Sequence, residues 1–343
     1  MGIKNLKKLI KKHAPDAISD KPSLYNKKIA IDSSILLYKY RYFYKEDSFH
    51  IQGFLHKVIE LLQLGAIPVF VFDGKPPNAK RDTLDKRIET RTKMKERIEE
   101  LKTLRNTLKI EANALEEHID TDTLEEYIDT DDEDNEDQLE KPVIKEIKKI
   151  NNQIRNIEKN ILIVKTSHSN EVMEFLECLG IPFLKAVSES EETCAFLQKN
   201  GLVDYVLTED TDSLTFGAKQ VILGEKLYSL ETILSKLELN HDSFIDLCIL
   251  CGCDYTSTIP KVGPVNALKL IKKFGLIDNF EISIPPEFNY QTARNIFKQN
   301  ENYQIEQIFE IGCMDLTKVE NIFERYSLNN YFLEKLKILL KSK

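Results

Sequence analysis

Short apolar runs separated by longer stretches of helical spacing organise this chain. Leu6, Leu9 and Ile10 fall on one face of a short amphipathic helix within residues 1–18. Lys28-Ile29-Ala30-Ile31 is an apolar, β-branched run ending at Asp32, and it predicts a buried strand over 27–32. Residues 33–64 carry apolar positions at helical intervals. Pro68-Val69-Phe70-Val71-Phe72 predicts a second strand over 66–73, closing on Asp73 and broken by Gly74-Lys75-Pro76-Pro77. From Lys80 to Ile110 strong helix formers, without Gly or Pro, predict a long charged helix. A second helical stretch is predicted from Val143 to Leu179, then strands over 182–187, 203–208 and 220–223. Residues 243–275 read as helix–turn–helix, with Gly263 suited to a tight turn and Pro264 to a first helical position. The remainder, 276–343, reads as helical. Strands alternating with helices predict an α/β fold with a mostly parallel central sheet flanked by helices.

Composition sharpens this picture. The chain has 343 residues, 42% of them hydrophobic, enough for a sizeable core. Its net charge of −8 misleads, because residues 111–140 hold fifteen Asp or Glu and no Lys or Arg. Outside that stretch 41 acids face 48 bases, a balance that suits a polyanionic partner such as nucleic acid as well as ordinary surface scatter. The low hydrophobicity around Asp129-Thr130-Asp131-Asp132-Glu133-Asp134 predicts a disordered or loosely ordered segment. No run approaches the ~18 apolar residues of a membrane span, and no signal peptide is visible. The Met1-Gly2 start is followed by Leu6 where lipidation would want Ser or Thr. Six cysteines without a secretory signal suggest a reducing compartment. Cys248, Cys251 and Cys253 are either small buried residues or part of a zinc site that lacks an evident fourth ligand.

The chemistry lies at the strand ends. Asp32 and Asp73 each close a strand, Glu189 and Glu191 follow the third, and Asp210 and Asp212 follow the fourth. In an open α/β sheet the ligand site lies beyond the carboxyl ends of the strands. Acids gathered there repel one another unless divalent cations neutralise them, and hard oxygen donors favour Mg²⁺ or Mn²⁺. A spacing of two places Asp210 and Asp212 on one face of an extended segment. Ser188 with Glu191 also has capping-box spacing, which gives that pair a structural reading. Asp254 adds a seventh acid, more than one Mg²⁺ uses. Two ions ~4 Å apart form a clamp for in-line phosphoryl displacement. Lys80 and Arg87, seven apart on one helix face, are candidates to steer a phosphate, against the blander reading of a solvated basic face. No histidine lies in these motifs, and Asp32-Ser33-Ser34 lacks the pattern of an aspartyl-nucleophile phosphatase.

Five ordered blocks resemble the XPG-type structure-specific 5′ nucleases, closest to their flap endonuclease branch. They are Met1-Gly2-Ile3, Val71-Phe72-Asp73-Gly74-Lys75-Pro76-Pro77, Ser188-Glu189-Ser190-Glu191-Glu192, the run from Thr208 to Gly217, and Gly252-Cys253-Asp254-Tyr255. The resemblance implies a PIN-like 5′ nuclease fold. It implies that Asp32, Asp73, Glu189, Glu191, Asp210, Asp212 and Asp254 hold two Mg²⁺ ions, for which Mn²⁺ can substitute. It implies that Lys80 and Arg87 are the basic pair of a gateway helix, that Tyr38 stacks on a base, and that Gly2 lets the N-terminus sit beside the site. It further implies that a helix-two-turn-helix grips duplex DNA by its backbone. In that element Thr258 and Ile259 would contribute carbonyls to a K⁺, and Lys261 and Gly263 would contact DNA.

The implied organisation is a nuclease core over 1–275 and a C-terminal helical extension, 276–343, packed on it. The core would hold a helical gateway or cap at 80–165 with its acidic insert at 111–140, and the helix-two-turn-helix at 243–275. A single-stranded 5′ end would thread beneath the helices near 80–165. The expected reaction is metal-dependent hydrolysis near a 5′ flap junction of branched DNA, in replication or repair, by a monomer. Other branches remain as alternatives: a bubble endonuclease, a 5′ exonuclease or a junction resolvase. The rival from another class is a non-catalytic DNA-binding scaffold. The segment between Asp32 and Asp73 is shorter than is typical of the branch, and the acidic insert reads as a solvated loop or a phosphate mimic. No glutamine-led sliding-clamp motif is visible. The expected location is the nucleus, or a cytoplasmic viral factory, without secretion.

Overall fold

The computed structural model describes residues 2–43, 47–115, 142–161, 163–281, 283–298 and 309–341. Residues 116–141, which include most of the acidic insert, lie outside the described residues, and so does any test of its predicted disorder. In chain order the strands are β1 (Ile18–Asp20), β2 (Lys28–Asp32), β3 (Ile67–Phe72), β4 (Phe183–Lys185), β5 (Tyr205–Thr208), β6 (Gln220–Leu223) and β7 (Lys226–Ser229). The helices are α1 (Leu6–His13), α2 (Ser33–Phe43), α3 (Phe49–Gln63), α4 (Arg81–Leu115), α5 (Pro142–Asn160), α6 (Thr166–Cys178), α7 (Ser190–Lys199), α8 (Asp212–Thr215), α9 (Leu230–Leu237), α10 (His241–Cys251), α11 (Pro264–Phe274), α12 (Tyr290–Lys298), α13 (Leu316–Arg325) and α14 (Asn330–Lys341).

The strands form a seven-stranded sheet in the order β1-β7-β6-β5-β2-β3-β4. From β6 to β4 all neighbours run parallel. The chain winds one way through β2, β3 and β4, then returns to place β5 against the other side of β2. That reversal between β2 and β5 is a topological switch point, where open α/β sheets bind their ligands.

Both faces of the sheet are covered, so its central strands are apolar throughout. On β2 and β3 the faces alternate as the pleat requires. Ala30, Val69 and Val71 join Leu6, Ile10, Leu197, Ile233 and Phe244 on one side. Ile29, Ile31, Phe70 and Phe72 join Leu37, Phe54, Val58 and Phe175 on the other. The second face also buries Val319, Phe323 and Leu336 of α13 and α14.

The chain divides into two units: residues 1–83 with 164–343, and residues 84–163. The smaller unit is a helical pair in which Ile98 and Leu101 of α4 pack with Ile150 and Ile154 of α5. No helix among the described residues is long and apolar enough to cross a membrane.

Several predicted boundaries move. The first helix stops at His13, and residues 18–20 form β1 instead. β1 pairs antiparallel with β7, and both escape a search for apolar runs because they are short and largely polar. A two-residue turn at Gly224-Glu225, with Gly224 at φ 66°, joins β6 to β7. The stretch predicted helical from 143 to 179 is two helices, broken between Asn160 and Thr166.

Candidate active site

Parallel register carries the acids to one edge. Asp32 is the last residue of β2 and Asp73 follows the last residue of β3. Asp32 is only 1% exposed, and its carboxylate accepts from the Ser190 hydroxyl at 2.8 Å and the Thr208 hydroxyl at 3.0 Å. The Thr208 hydroxyl in turn accepts from the Asp210 amide at 3.0 Å. Asp73 is exposed and accepts the Ser190 amide at 2.9 Å, so a carboxylate from another strand covers the first turn of α7. Its own amide donates to the Ser34 hydroxyl at 3.2 Å. Gly74 is forced by close approach: a side chain there would strike the carbonyls of Ala186 and Val187.

Glu189 is buried and meets both the Lys80 ammonium and the Tyr255 hydroxyl, which donates to it. The Lys80 ammonium also lies 3.7 Å from Asp254. Glu191 is half-buried, 3.3 Å from the Ser190 hydroxyl. Asp210 and Asp212 are buried, and the Asp212 amide donates to Asp210 at 3.0 Å. Asp212 Oδ1 has no hydrogen-bond partner among the described residues.

The electrostatics tie these acids into one mutually repelling group. Burial, then the charges of Asp73 and Asp210, push Asp32 up to about 7, against the hydrogen bonds from Ser190 and Thr208. Burial, then Asp32, Asp73, Asp210 and Glu189, push Glu191 well above the usual carboxylate range. Burial, then Asp210, Asp254 and Glu189, do the same to Asp212, with Lys80 opposing. Burial alone would lower the Lys80 pKa, but Glu189, Glu191 and Asp254 outweigh it and hold the ammonium charged.

The N-terminus packs against this group. Gly2 has φ 85°, and a Cβ there would run into the Asp210 carboxylate and come within 2.9 Å of the Thr211 hydroxyl. The Ile3 amide donates to that hydroxyl at 3.1 Å and the Lys4 amide to the Gly252 carbonyl at 3.1 Å.

Three local readings are corrected. The capping box from Ser188 to Glu191 is absent: α7 starts at Ser190, and Glu189 at its N-cap makes no side-chain capping bond. Glu189 instead meets Lys80 and Tyr255. Asp210 and Asp212 do not lie on an extended segment, because Asp212 opens the short helix α8. Gly263 has φ −106° and ψ −177°, extended backbone open to any residue, whereas Lys261 takes the left-handed conformation at φ 64°. Pro264 does open α11.

The other predicted residues fall as follows. Tyr38 stands exposed on α2. Thr258, Lys261 and Gly263 are exposed in the turn between α10 and α11, while the Ile259 side chain is buried. Arg87 is half-buried on α4, within the smaller unit. Cys248, Cys251 and Cys253 are buried, and burial pushes the Cys251 and Cys253 thiols up to about 12. Tyr255, Thr208 and Ser190 were missed as site residues. Tyr255 follows Asp254 in the turn after α10, but nothing local announces its partner Glu189, 66 residues away.

The hard-oxygen donor set and the orphaned Asp212 oxygen fit divalent cations. As the side chains stand, no three His, Cys, Asp or Glu among the described residues are arranged to hold an ion. The Lys80 ammonium lies against Glu189 and Asp254 in that arrangement.

Fold and acidic edge together define an α/β enzyme with the 5′ nuclease architecture. Residues 1–94 match the XPG N-terminal domain and residues 180–254 the XPG I-region. Flap endonuclease 1-A of Sorghum bicolor is 33% identical over 330 residues, covering 87% of this chain and 75% of that protein. Flap endonuclease 1 of Danio rerio is 32% identical over 333 residues, covering 88% and 76%. The catalytic core of Rad2 in complex with a DNA substrate shares the fold at a TM-score of 0.68, with 22% identity, over 99% of this chain and 100% of that one. The chain belongs to the XPG family of nucleases, in its flap endonuclease branch.

Proposed function

We propose that the carboxylate cluster is the hydrolytic site of a structure-specific 5′ flap endonuclease acting in DNA replication or repair. One observation carries the reading: seven acids from separate strand ends and turns repel one another at the switch point, with the half-buried Lys80 among them. Asp32, Asp73, Glu189, Glu191, Asp210, Asp212 and Asp254 would hold two Mg²⁺ ions, with Mn²⁺ as a substitute. Bound there, the ions supply the charge that activates water and stabilises the leaving oxygen, leaving a 5′-phosphate and a 3′-hydroxyl.

The chain's own groups prepare that site. The Thr208 and Ser190 hydroxyls orient Asp32, and the Ser190 amide orients Asp73. Tyr255 holds one oxygen of Glu189. Lys80 stays charged and offers its ammonium to the scissile phosphate when Glu189 and Asp254 turn to cations. Arg87 is proposed as its partner on the resemblance alone. Tyr38 would stack on a base, and Gly2 would keep the N-terminus clear of Asp210. The turn between α10 and α11 would grip duplex DNA by its backbone through Thr258, Lys261 and Gly263, with the carbonyls of Thr258 and Ile259 available to a K⁺. The enzyme would act as a monomer in the nucleus, or in a viral factory.

Asp210→Ala tests the reading. Cleavage of a 5′ flap should fall by about a thousandfold or more, since metal stabilisation is worth several kcal/mol, while flap DNA still binds. Wild-type rates would reject the site. Flap, bubble, gapped and four-way substrates compared on the native chain separate the branch from its alternatives.

A further inference from the structure

The outward face of α1 is a strip of lysines that the acidic site does not use. Lys7, Lys8, Lys11 and Lys12 on the helix, and Lys4 just before it, are all exposed. Leu6, Leu9 and Ile10 on the opposite face are buried in the core. We propose that the strip is a phosphate-contact surface for double-stranded DNA, extending the grip of the neighbouring turn between α10 and α11 along the duplex backbone. This rests on the nuclease reading above and adds a contact surface for its substrate.

The strip is uncompensated. None of its five ammonium groups has a carboxylate within ion-pair distance among the described residues, and Lys7 donates to the Glu209 carbonyl at 3.1 Å. Neighbouring acids are already taken: Glu209 pairs with Lys39 at 2.8 Å and Asp16 with Lys236 at 2.6 Å. Lysines elsewhere find partners, as Lys27 does with Asp204 and Lys272 with Glu238. Cations in the last turn of a helix suit its dipole, which accounts for Lys11 and Lys12. It does not account for Lys7 and Lys8, which stand in the first turn, the unfavourable end. Lys7 with Lys11, and Lys8 with Lys12, are also like charges four apart, an arrangement that destabilises a helix. An anion along the strip removes both penalties.

Geometry selects duplex DNA. The Lys4 amide donates to the Gly252 carbonyl, and a Cβ at Gly252 would come within 3.0 Å of both the Lys4 stem and the Thr258 side chain. The strip therefore starts at the α10–α11 turn, and α1 packs beside α11. Eight residues make α1 about 12 Å long, or about three to four base pairs of duplex axis. Two rows of ammonium groups over that length suit a repeating backbone better than a point anion. The outward face carries no Phe, Tyr or Trp on which unpaired bases could stack, as surfaces for single strands provide.

The test measures binding of a 5′ flap substrate across a range of salt, using the full chain carrying Asp210→Ala. Adding Lys8→Gln, Lys11→Gln and Lys12→Gln should reduce the slope of log affinity against log salt by about 3, at about 0.9 for each lost phosphate contact. The loss should be equal for flaps of different sequence. Plain duplex should lose as much as the flap, and single-stranded DNA little. Arg at the same three positions should keep the slope. Lys27→Gln, Lys28→Gln and Lys219→Gln remove the same charge at the edge where β2 and β6 begin, opposite the acids, and should leave the slope unchanged. An unchanged slope in the α1 variant, an equal change in this control, or an equal loss on single-stranded DNA overturns the duplex surface. Gln keeps helix propensity. If thermal melting still shows the triple variant unfolded, Lys8→Gln and Lys12→Gln singly replace it, each expected to lower the slope by about 1. With Asp210 intact, the Gln variant should cut flaps at the parent maximal rate with a raised KM. Cutting with an unchanged KM and slope rejects the surface alone, whereas a native chain that does not cut flaps rejects the nuclease reading.

Discussion

Asp246 is 0% exposed, and both oxygens of its carboxylate are used. Arg294 donates to it through Nε at 2.8 Å and Nη2 at 2.6 Å, and the Ile277 amide donates at 2.9 Å. The same guanidinium reaches Asp278 at 2.6 Å and holds that carboxyl below its usual range. Asp212, also buried, has one oxygen without a partner among the described residues, and Asp32, Glu191 and Asp212 are all pushed upward. The first region is a buried charge resolved by geometry, and it ties α10 to α12. The second is a buried charge left unresolved inside the same unit. A fold tolerates that imbalance where an external cation completes it. On the proposed reading, the under-partnered acids, rather than burial or charge alone, would mark the working site.

Four substitutions or conditions sharpen this contrast. Asp212→Asn should lower flap cleavage by about a thousandfold, the scale expected when a metal ligand is lost, yet raise the melting temperature of metal-free protein. A fall in that temperature would place Asp212 among the structural acids. Arg294→Ala should do the reverse. Breaking a buried pair strands Asp246 and should cost about 3–5 kcal/mol, read from denaturant unfolding, while cleavage persists at temperatures where the variant stays folded. Gly2→Ala, whose Cβ would run into the Asp210 carboxylate, should slow cleavage and also lower the melting temperature, since a left-handed non-glycine residue strains the folded state by about 1–3 kcal/mol. A rate equal to wild type would separate the N-terminus from Asp210.

The smallest effect is a pH dependence. Asp32 has a folded pKa of about 7 against an ordinary 3.8, so the folded form holds its proton more tightly. Its contribution to metal-free stability is complete below about pH 4 and is lost as pH rises through about 7. The gain in melting temperature on adding Mg²⁺ should therefore be larger at about pH 8 than at about pH 5. A gain independent of pH would contradict the placement of Asp32 among the cation-facing acids.

Much of this was legible in the chain. β2, β3 and β5 are apolar because both sheet faces are covered, so their ends, and the acids at them, could be located from residue type alone. Gly2 was legible only through resemblance, since nothing local announces that its neighbour is Asp210. The edge strands β1 and β7 were hidden because edge pairing asks for little apolar surface. The capping reading of Ser188 and Glu191 failed because a tertiary partner, Asp73, took the helix terminus that a local motif would have served. Tyr255 and Thr208 were invisible for the same reason: their partners are 66 and 176 residues away.

Anomalous diffraction from crystals soaked in Mn²⁺ tests the central claim most directly. The account predicts two peaks, about 4 Å apart, among the oxygens of Asp32, Asp73, Glu189, Glu191, Asp210, Asp212 and Asp254, with Lys80 withdrawn from Glu189 and Asp254. Peaks found only elsewhere on the surface, with Lys80 still seated between those two acids at saturating Mn²⁺, would contradict it.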